Sequence, residues 1–443
     1  MLSSDRTGGY PWHRHTRHFI KDRWSDLAER IITMTNIVIT TLSPFENRGV
    51  EALGISIVQG LKRTFGDPSI TVLARDLDVA KVSMEPYGVT VCRDKAWAPR
   101  RNASAFRKLT FRPGRYLRQK ILGRLHPCEL ALAKADLVIV SGGDVYSSVY
   151  NTMERFLRQL DLPLSNGTPV LFLGQSIGLF DNQPEIDSFV ATARRTRLTV
   201  REKISYDYVV DRLGVPAERV EMTADPAFLL EVDDATRTAI HAEYGLVQGE
   251  YAVMAVSRGI SEFKGLPHAD HMEACLRVAR FLIEKTGKVV LVPHVRISYA
   301  DNENDLLLAQ EIKAALGNDP ACVVMGNRMH GAVEFKAALG SARFVVAERT
   351  HGAIGAMSMG VPTLSIGYSI KAEGVLRQLI KDDALLAKSL LPVAELTPDN
   401  AVQVIEDAWE VRDAFAAALA RTLPAVKARA ARNFEIAREL VAR

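Results

Sequence analysis

A chain of 443 residues, 47% hydrophobic and 24% charged, is long enough for two or three packed domains and has the composition of an ordinary globular protein. Its formal net charge of +4 is too small at this length to argue for a nucleic-acid partner. The cysteines Cys92, Cys128, Cys275 and Cys322 show no CxxC spacing, which excludes a zinc or disulfide frame in favour of free thiols in a reducing compartment. No run approaches the roughly 18 apolar residues of a membrane helix. The first thirty residues are too charged for a secretory leader, so the expected location is the cytoplasm, including the inner face of its membrane.

Residues 1–33 read as a basic, weakly structured arm. A buried strand opens at Asn36, and the loop that follows leads into a helix over 51–65 and a strand over 70–74. This is a βαβ opening without a GxGxxG fingerprint. Asn47 and Gly49 stand at the helix entry, either against a ligand or as a plain entry turn. Residues 97–128 hold nine Lys or Arg and no Asp or Glu. The stretch from Arg100 to Arg124, with Phe106, Phe111 and Tyr116 interleaved, fits either an anionic membrane face or a solvated helix face.

Residues 135–144 form a buried strand ending in Ser141-Gly142-Gly143-Asp144, and 169–178 repeat the design through Gly174-Gln175-Ser176. Such glycines admit a ligand against the backbone or make a tight turn. A third strand end, at 198–200, delivers Arg201 and Glu202 ahead of a helix expected to be capped near Ser205. A guanidinium there needs an anionic partner, which is a bound ligand or Glu202 itself. Asp225-Pro-Ala-Phe-Leu closes a first domain over 34–232. A polar connector precedes a second domain over 250–392, and Ala-rich helices fill 393–443. Within the second domain His294 ends a strand and reads as a packing imidazole, while Asp301 and Asp305 read as helix caps. Arg328-Met-His330-Gly falls in the loop before the next helix.

The richest stretch runs over 341–374. An apolar strand at 343–347 stops at Glu348-Arg349-Thr350-His351-Gly352, and a helix and a second strand at 363–366 follow. Tyr368, Lys371 and Glu373 come next and read as a polar loop. Carboxyl ends of parallel strands face the ligand crevice, so a guanidinium, an imidazole and an ammonium share one rim beside a helix N-terminus. That combination suits a small, highly charged anion with a proton to move.

The ordered series Asn47-x-Gly49, Gly142-Gly143, Gly174-Gln175-Ser176-Ile177-Gly178, Val200-Arg201-Glu202, Asp225-Pro-Ala-Phe-Leu229, Pro293-His294, Arg349-Thr-His351, Gly360-Val-Pro362 and Tyr368-x-x-Lys371 resembles the polysaccharide pyruvyl transferases over about residues 36–390. The resemblance implies an α/β fold of two Rossmann-like domains facing across a cleft, as in GT-B glycosyltransferases. It also implies transfer of pyruvate from phosphoenolpyruvate to two hydroxyls of a saccharide acceptor, lipid-linked or polymeric, with phosphate released. Under it Arg201 and Arg349 bind the donor, His351 and Arg349 are catalytic, and Lys371 is a substrate contact.

The residues support that chemistry separately. Two guanidiniums and an ammonium match a carboxylate and a phosphate. An imidazole, titrating ordinarily near ~6.5, can protonate the enol methylene near neutrality. Asn47, Gly142, Gly143, Gln175, Glu202, Tyr368 and Glu373 complete the candidate substrate contacts, with Glu202 or Glu373 as a proton acceptor. The route calls for no metal and no cofactor beyond the donor. A nucleotide-sugar glycosyltransferase is the competing reading, since it fits the architecture equally well.

Overall fold

The computed structural model describes residues 34–97, 126–148, 153–263, 265–297, 303–367 and 370–442. The basic arm, the basic segment at 100–124, Asp301 and Tyr368 lie outside the described residues.

Two parallel sheets organise the chain. The first contains β1 (Asn36–Thr40), β2 (Ser69–Ala74), β3 (Thr90–Arg93), β4 (Leu137–Val140), β5 (Gly143–Tyr146), β6 (Val170–Ile177), β7 (Arg197–Val200) and β8 (Val220–Met222). Their order is β3-β2-β1-β4-β6-β7-β8, with β5 pairing β6. The second contains β9 (Ala252–Ala255), β10 (Val289–Leu291), β11 (Cys322–Val324), β12 (Phe344–Ala347), β13 (Thr363–Gly367) and β14 (Leu390–Pro392), in the order β11-β10-β9-β12-β13-β14. Helices cover both faces of such sheets, so the strands are continuous apolar runs; all eight residues of β6 and all four of β12 are buried. The strand order reverses between β1 and β4 and again between β9 and β12, the positions where open α/β sheets form their crevices.

The two sheets meet through the loops at their carboxyl ends. Asn47 bridges Val295 in antiparallel fashion, the Arg48 N–H donates to the His294 carbonyl at 2.9 Å, and the Arg296 N–H donates to the Glu46 carbonyl at 3.2 Å. Helix α1 (Arg48–Phe65), capped by Asn47, packs against helices α2 (Ala332–Leu339) and α3 (Thr350–Met357) of the second half. One apolar cluster therefore runs through both halves, from Ile39 and Leu53 to Phe335 and Ile354.

After α4 (Ile370–Leu379), the final helix α5 (Arg412–Val441) returns to the first sheet. Its Asn433 is fully buried; Oδ1 accepts from Thr199 Oγ1 at 2.5 Å and from Thr223 Oγ1 at 2.9 Å, and Nδ2 donates to the Ala224 carbonyl at 2.9 Å. The neighbouring Phe434 ring lies on Gly60 of α1, where a β-carbon would come within 2.2 Å of Cζ. Gly60→Ala is expected to destabilise the protein by about 1–3 kcal/mol despite its better helix propensity, because the ring must move within a filled core. Urea denaturation measures the loss, and Phe434→Leu in the same chain should recover part of it.

Three local expectations change. Lys371 and Glu373 lie on helix α4, not on a polar loop, because Ala372, Val375, Leu376 and Leu379 form an apolar stripe at helical spacing. Glu202, not Ser205, occupies the cap position of the short helix Lys203–Asp207. Asn304 caps the helix Asp305–Ala315, which frees the Asp305 carboxylate for another role.

Candidate active site

His351 lies in the first turn of α3, one residue beyond the helix start at Thr350. Its ring faces α1 across the junction, and a β-carbon on Gly49 would sit 2.5 Å from Nδ1. Gly49 is therefore required by a close approach. Nε2 of His351 lies 3.6 Å from Oδ2 of Asp225, within ion-pair range but longer than a hydrogen bond.

Asp225 joins this imidazole to the first sheet. Arg201 Nη1 donates to the same Oδ2 at 2.5 Å, and the Ala227 N–H donates to Oδ1 at 2.8 Å. Burial opposes ionisation of Asp225, but Arg201 and His351 overcome it and hold the carboxyl well below the usual range. Arg201 is 3% exposed and further held by Ser176 Oγ at 2.7 Å, with Glu202 Oε2 at 3.6 Å. Glu202 in turn accepts from Ser176 at 2.9 Å and from Ser205. The structure thus brings Arg201 and His351 together, and the group between them is a carboxylate of the protein itself. Asp225 was legible only as part of a motif. Its role depends on the end of β8 lying beside the end of β7, which spacing alone does not reveal.

Arg349, at the cap position of α3, turns to the other side. Nε and Nη2 make a two-pronged contact with Asp305 at 3.0 and 2.6 Å, and that carboxylate also accepts the Val295 N–H at 2.9 Å and the Arg258 N–H at 3.0 Å. Arg349 therefore anchors the loop carrying His294. Behind it, Glu348 accepts from the Ser257 N–H at 2.6 Å and contacts His271 Nε2 at 2.8 Å, with Cys275 Sγ at 3.7 Å. His271, Cys275 and Glu348 form the kind of three-ligand cluster that the cysteine spacing gave no hint of, since the residue just after β12 supplies one member and the helix His268–Thr286 the other two. All three are engaged with one another or with Ser257 and Ser261.

The remaining candidates separate. Asn47 caps α1 through the Gly49 N–H at 2.9 Å. Gly142 lets β5 run against β6, since a β-carbon would meet the Leu173 and Gly174 carbonyl oxygens at 2.9 Å, and Gly143 has φ 121°. Gln175 Nε2 ties the end of β4 by donating to the Val140 and Ser141 carbonyls at 3.0 and 2.5 Å. None of these four lines the pocket beside His351. Glu373 pairs with Arg377 at 2.7 Å on the outer face of α4. Lys371 is placed on that helix by its backbone, about two turns before Gln378, which donates to the Arg201 carbonyl from the helix's far end.

The pocket itself holds residues that sequence reasoning passed over. Arg48, His294, Lys336 and His351 line it, with Ala227, Leu230 and Ala332 supplying apolar wall. Its volume of about 20 Å³ is near what one water occupies. Arg48 Nη1 contacts Glu51 at 2.7 Å, and the same Glu51 oxygen accepts the Ala332 N–H at 3.0 Å across the junction. Burial, reinforced by the Arg349 charge, pushes His294 down to about 3, which leaves a neutral imidazole at neutral pH. The packing role expected of His294 is therefore accompanied by a place in the pocket wall. Burial likewise pushes the Lys336 amine down to about 7. Arg48 Nε, His294 Nδ1 and His351 Nε2 are all buried without a hydrogen-bond partner among the described residues. Three such nitrogens around one pocket are costly unless something anionic or hydrogen-bonding meets them. A signal for Lys336 existed, because it falls four residues after Ala332 and three before Leu339, on the apolar face of its helix.

Comparison with known proteins agrees with this architecture. The fold matches UDP-GlcNAc 2-epimerase from Neisseria meningitidis bound to UDP-GlcNAc, with TM-score 0.57 and 12% identity over 92% of this chain and 98% of that one. It also matches a glycosyltransferase from Rickettsia africae, with TM-score 0.53 and 10% identity over 92% and 99%. At such identities the likeness is one of fold, and the fold is GT-B-like. The amylovoran biosynthesis protein AmsJ of Erwinia amylovora is 26% identical over 256 residues, covering 56% of this chain and 60% of that protein. The match thus spans less than two thirds of that relative's length. The family profile of polysaccharide pyruvyl transferase matches residues 47–370, the span that begins at the α1 cap and takes in Arg201, Asp225, Arg349 and His351. By that match the chain belongs to the polysaccharide pyruvyl transferase family.

Proposed function

We propose that the protein transfers pyruvate from phosphoenolpyruvate to two hydroxyls of an envelope or exopolysaccharide sugar, forming a cyclic ketal and releasing phosphate. The carrying observation is the His351 pocket, whose wall combines Arg48 and Lys336 with nitrogens of Arg48, His294 and His351 that make no hydrogen bond among the described residues, although Asp225 lies 3.6 Å from His351 Nε2. The donor's two anionic groups are the chemistry such a wall accommodates. At about 20 Å³ the pocket is too small for a three-carbon phosphorylated acid, so this reading requires the two halves to part at the Asn47–Val295 contact.

In this reading His351 gives its proton to the donor's methylene carbon, which becomes a methyl group while positive charge develops at the adjacent carbon. A sugar hydroxyl adds to that carbon and returns its proton to His351. Cleavage of the carbon–oxygen bond then releases phosphate, a second hydroxyl closes the ring, and its proton leaves with the phosphate. Asp225 fixes the imidazole and balances its charge, and Arg201 holds Asp225 in place. Arg201 and Arg349 thus serve the donor by placing His351 and His294, a role distinct from the direct contacts expected of them. The AmsJ relative, named for amylovoran biosynthesis, supports an exopolysaccharide acceptor. A membrane contact through residues 100–124 suits a lipid-linked one.

The test is phosphate release from phosphoenolpyruvate in the presence of saccharide acceptors, run beside UDP-sugars as rival donors. Acceptor-dependent phosphate release, with a mass increase corresponding to a pyruvate ketal, is expected. Sugar transfer from a UDP-sugar with no phosphate release would overturn the proposal.

A further inference from the structure

We propose that Lys336 is a donor-binding lysine of this enzyme, its Nζ holding phosphoryl oxygens of the phosphorylated acid in the His351 pocket. The inference rests on the donor reading above and adds the residue that grips the phosphate. Lys336 projects from α2 in the second half, is 3% exposed, and lines the pocket together with Arg48 from the first half. Its only hydrogen-bond acceptor among the described residues is the Leu230 carbonyl at 2.6 Å, and it has no carboxylate ion-pair partner there. An ammonium carries three donors, so one carbonyl leaves two unmet in a buried setting.

Three other cations of this junction are matched by carboxylates, while Arg296 donates to the Arg328 carbonyl at 2.6 Å. Arg48 has Glu51, Arg201 has Asp225, and Arg349 has Asp305. Lys336 alone of these four has none within ion-pair range; burial, reinforced by the Lys427 charge and opposed by Glu231 and Asp225, pushes its amine down to about 7. A phosphoryl group entering from the junction supplies both the charge and the acceptors. A compact ammonium also suits phosphate, whereas a guanidinium suits the planar carboxylate. The competing role is structural: the Leu230 contact ties the segment after Asp225 to the second half.

The two roles separate in binding and stability measured together. Phosphoenolpyruvate is titrated calorimetrically into the full chain and into Lys336→Met. Wild-type binding with a loss of roughly 10- to 100-fold in Lys336→Met, and a melting temperature equal to or above wild type, is expected for a charge-assisted contact. Affinity within twofold of wild type overturns the assignment while leaving the donor reading in place. Absence of binding to the wild-type protein overturns the donor reading and this inference with it. A measurement on the unmodified chain guards against misfolding of the variant: saturating phosphoenolpyruvate is expected to slow reductive methylation of Lys336, followed by mass spectrometry. An unchanged rate counts against the contact.

Discussion

His351→Gln is expected to reduce phosphate release from phosphoenolpyruvate by about 10²–10⁴-fold, the usual contribution of a positioned acid or base. The amide fills similar space beside Gly49 but cannot deliver a proton at neutral pH. Donor affinity should change by only a few fold, because Arg48 and Lys336 remain in the wall. Steady-state phosphate assays and calorimetric donor titration separate the two effects. A variant that keeps near-wild-type turnover would remove His351 from the chemistry. An equal loss of binding and turnover would make it a contact instead.

Asp225→Ala is expected to cost about 3–5 kcal/mol of folding stability, together with activity, because it strands a buried guanidinium. Arg201 would keep Ser176 Oγ at 2.7 Å and the more distant Glu202, but no short ionic contact. Removing both charges, in Asp225→Leu with Arg201→Met, should restore much of the stability without restoring activity. That contrast distinguishes the cost of an unpaired charge from the catalytic role of the pair. The pH dependence has a definite sign. Asp225 is depressed in the folded protein, so its contribution is complete above the ordinary carboxylate value near ~4 and is lost as pH falls toward the folded value. Urea titrations between neutral and acidic pH should show wild type losing an increment that the double variant lacks.

Much of the molecule was legible beforehand. β12, α3 and β13 follow from a short apolar run, helical spacing and a second apolar run, and each depends mainly on residues close in sequence. The placement of His351 at a helix start followed from the same pattern. The expected polar loop at Lys371 and Glu373 was misjudged because charged residues there obscured an apolar stripe that includes Val375 and Leu379. Arg201 reads in the sequence as needing an anion, either a ligand or Glu202, and Arg349 as a donor contact; their short ion-pair partners are Asp225 and Asp305, located 24 and 44 positions away along the chain.

The sequence by itself determined the alternation of strands and helices, the family-bearing motifs, and the presence of cations at strand ends, because hydrophobic period and local capping act over a few residues. Only the tertiary structure decided which cation meets a carboxylate and which meets a carbonyl alone. That outcome depends on which distant carboxylates the docking of two sheets carries within reach, and burial makes the difference large. Arg201 and Arg349 are matched inside the protein, while Lys336 reaches the pocket with a single carbonyl.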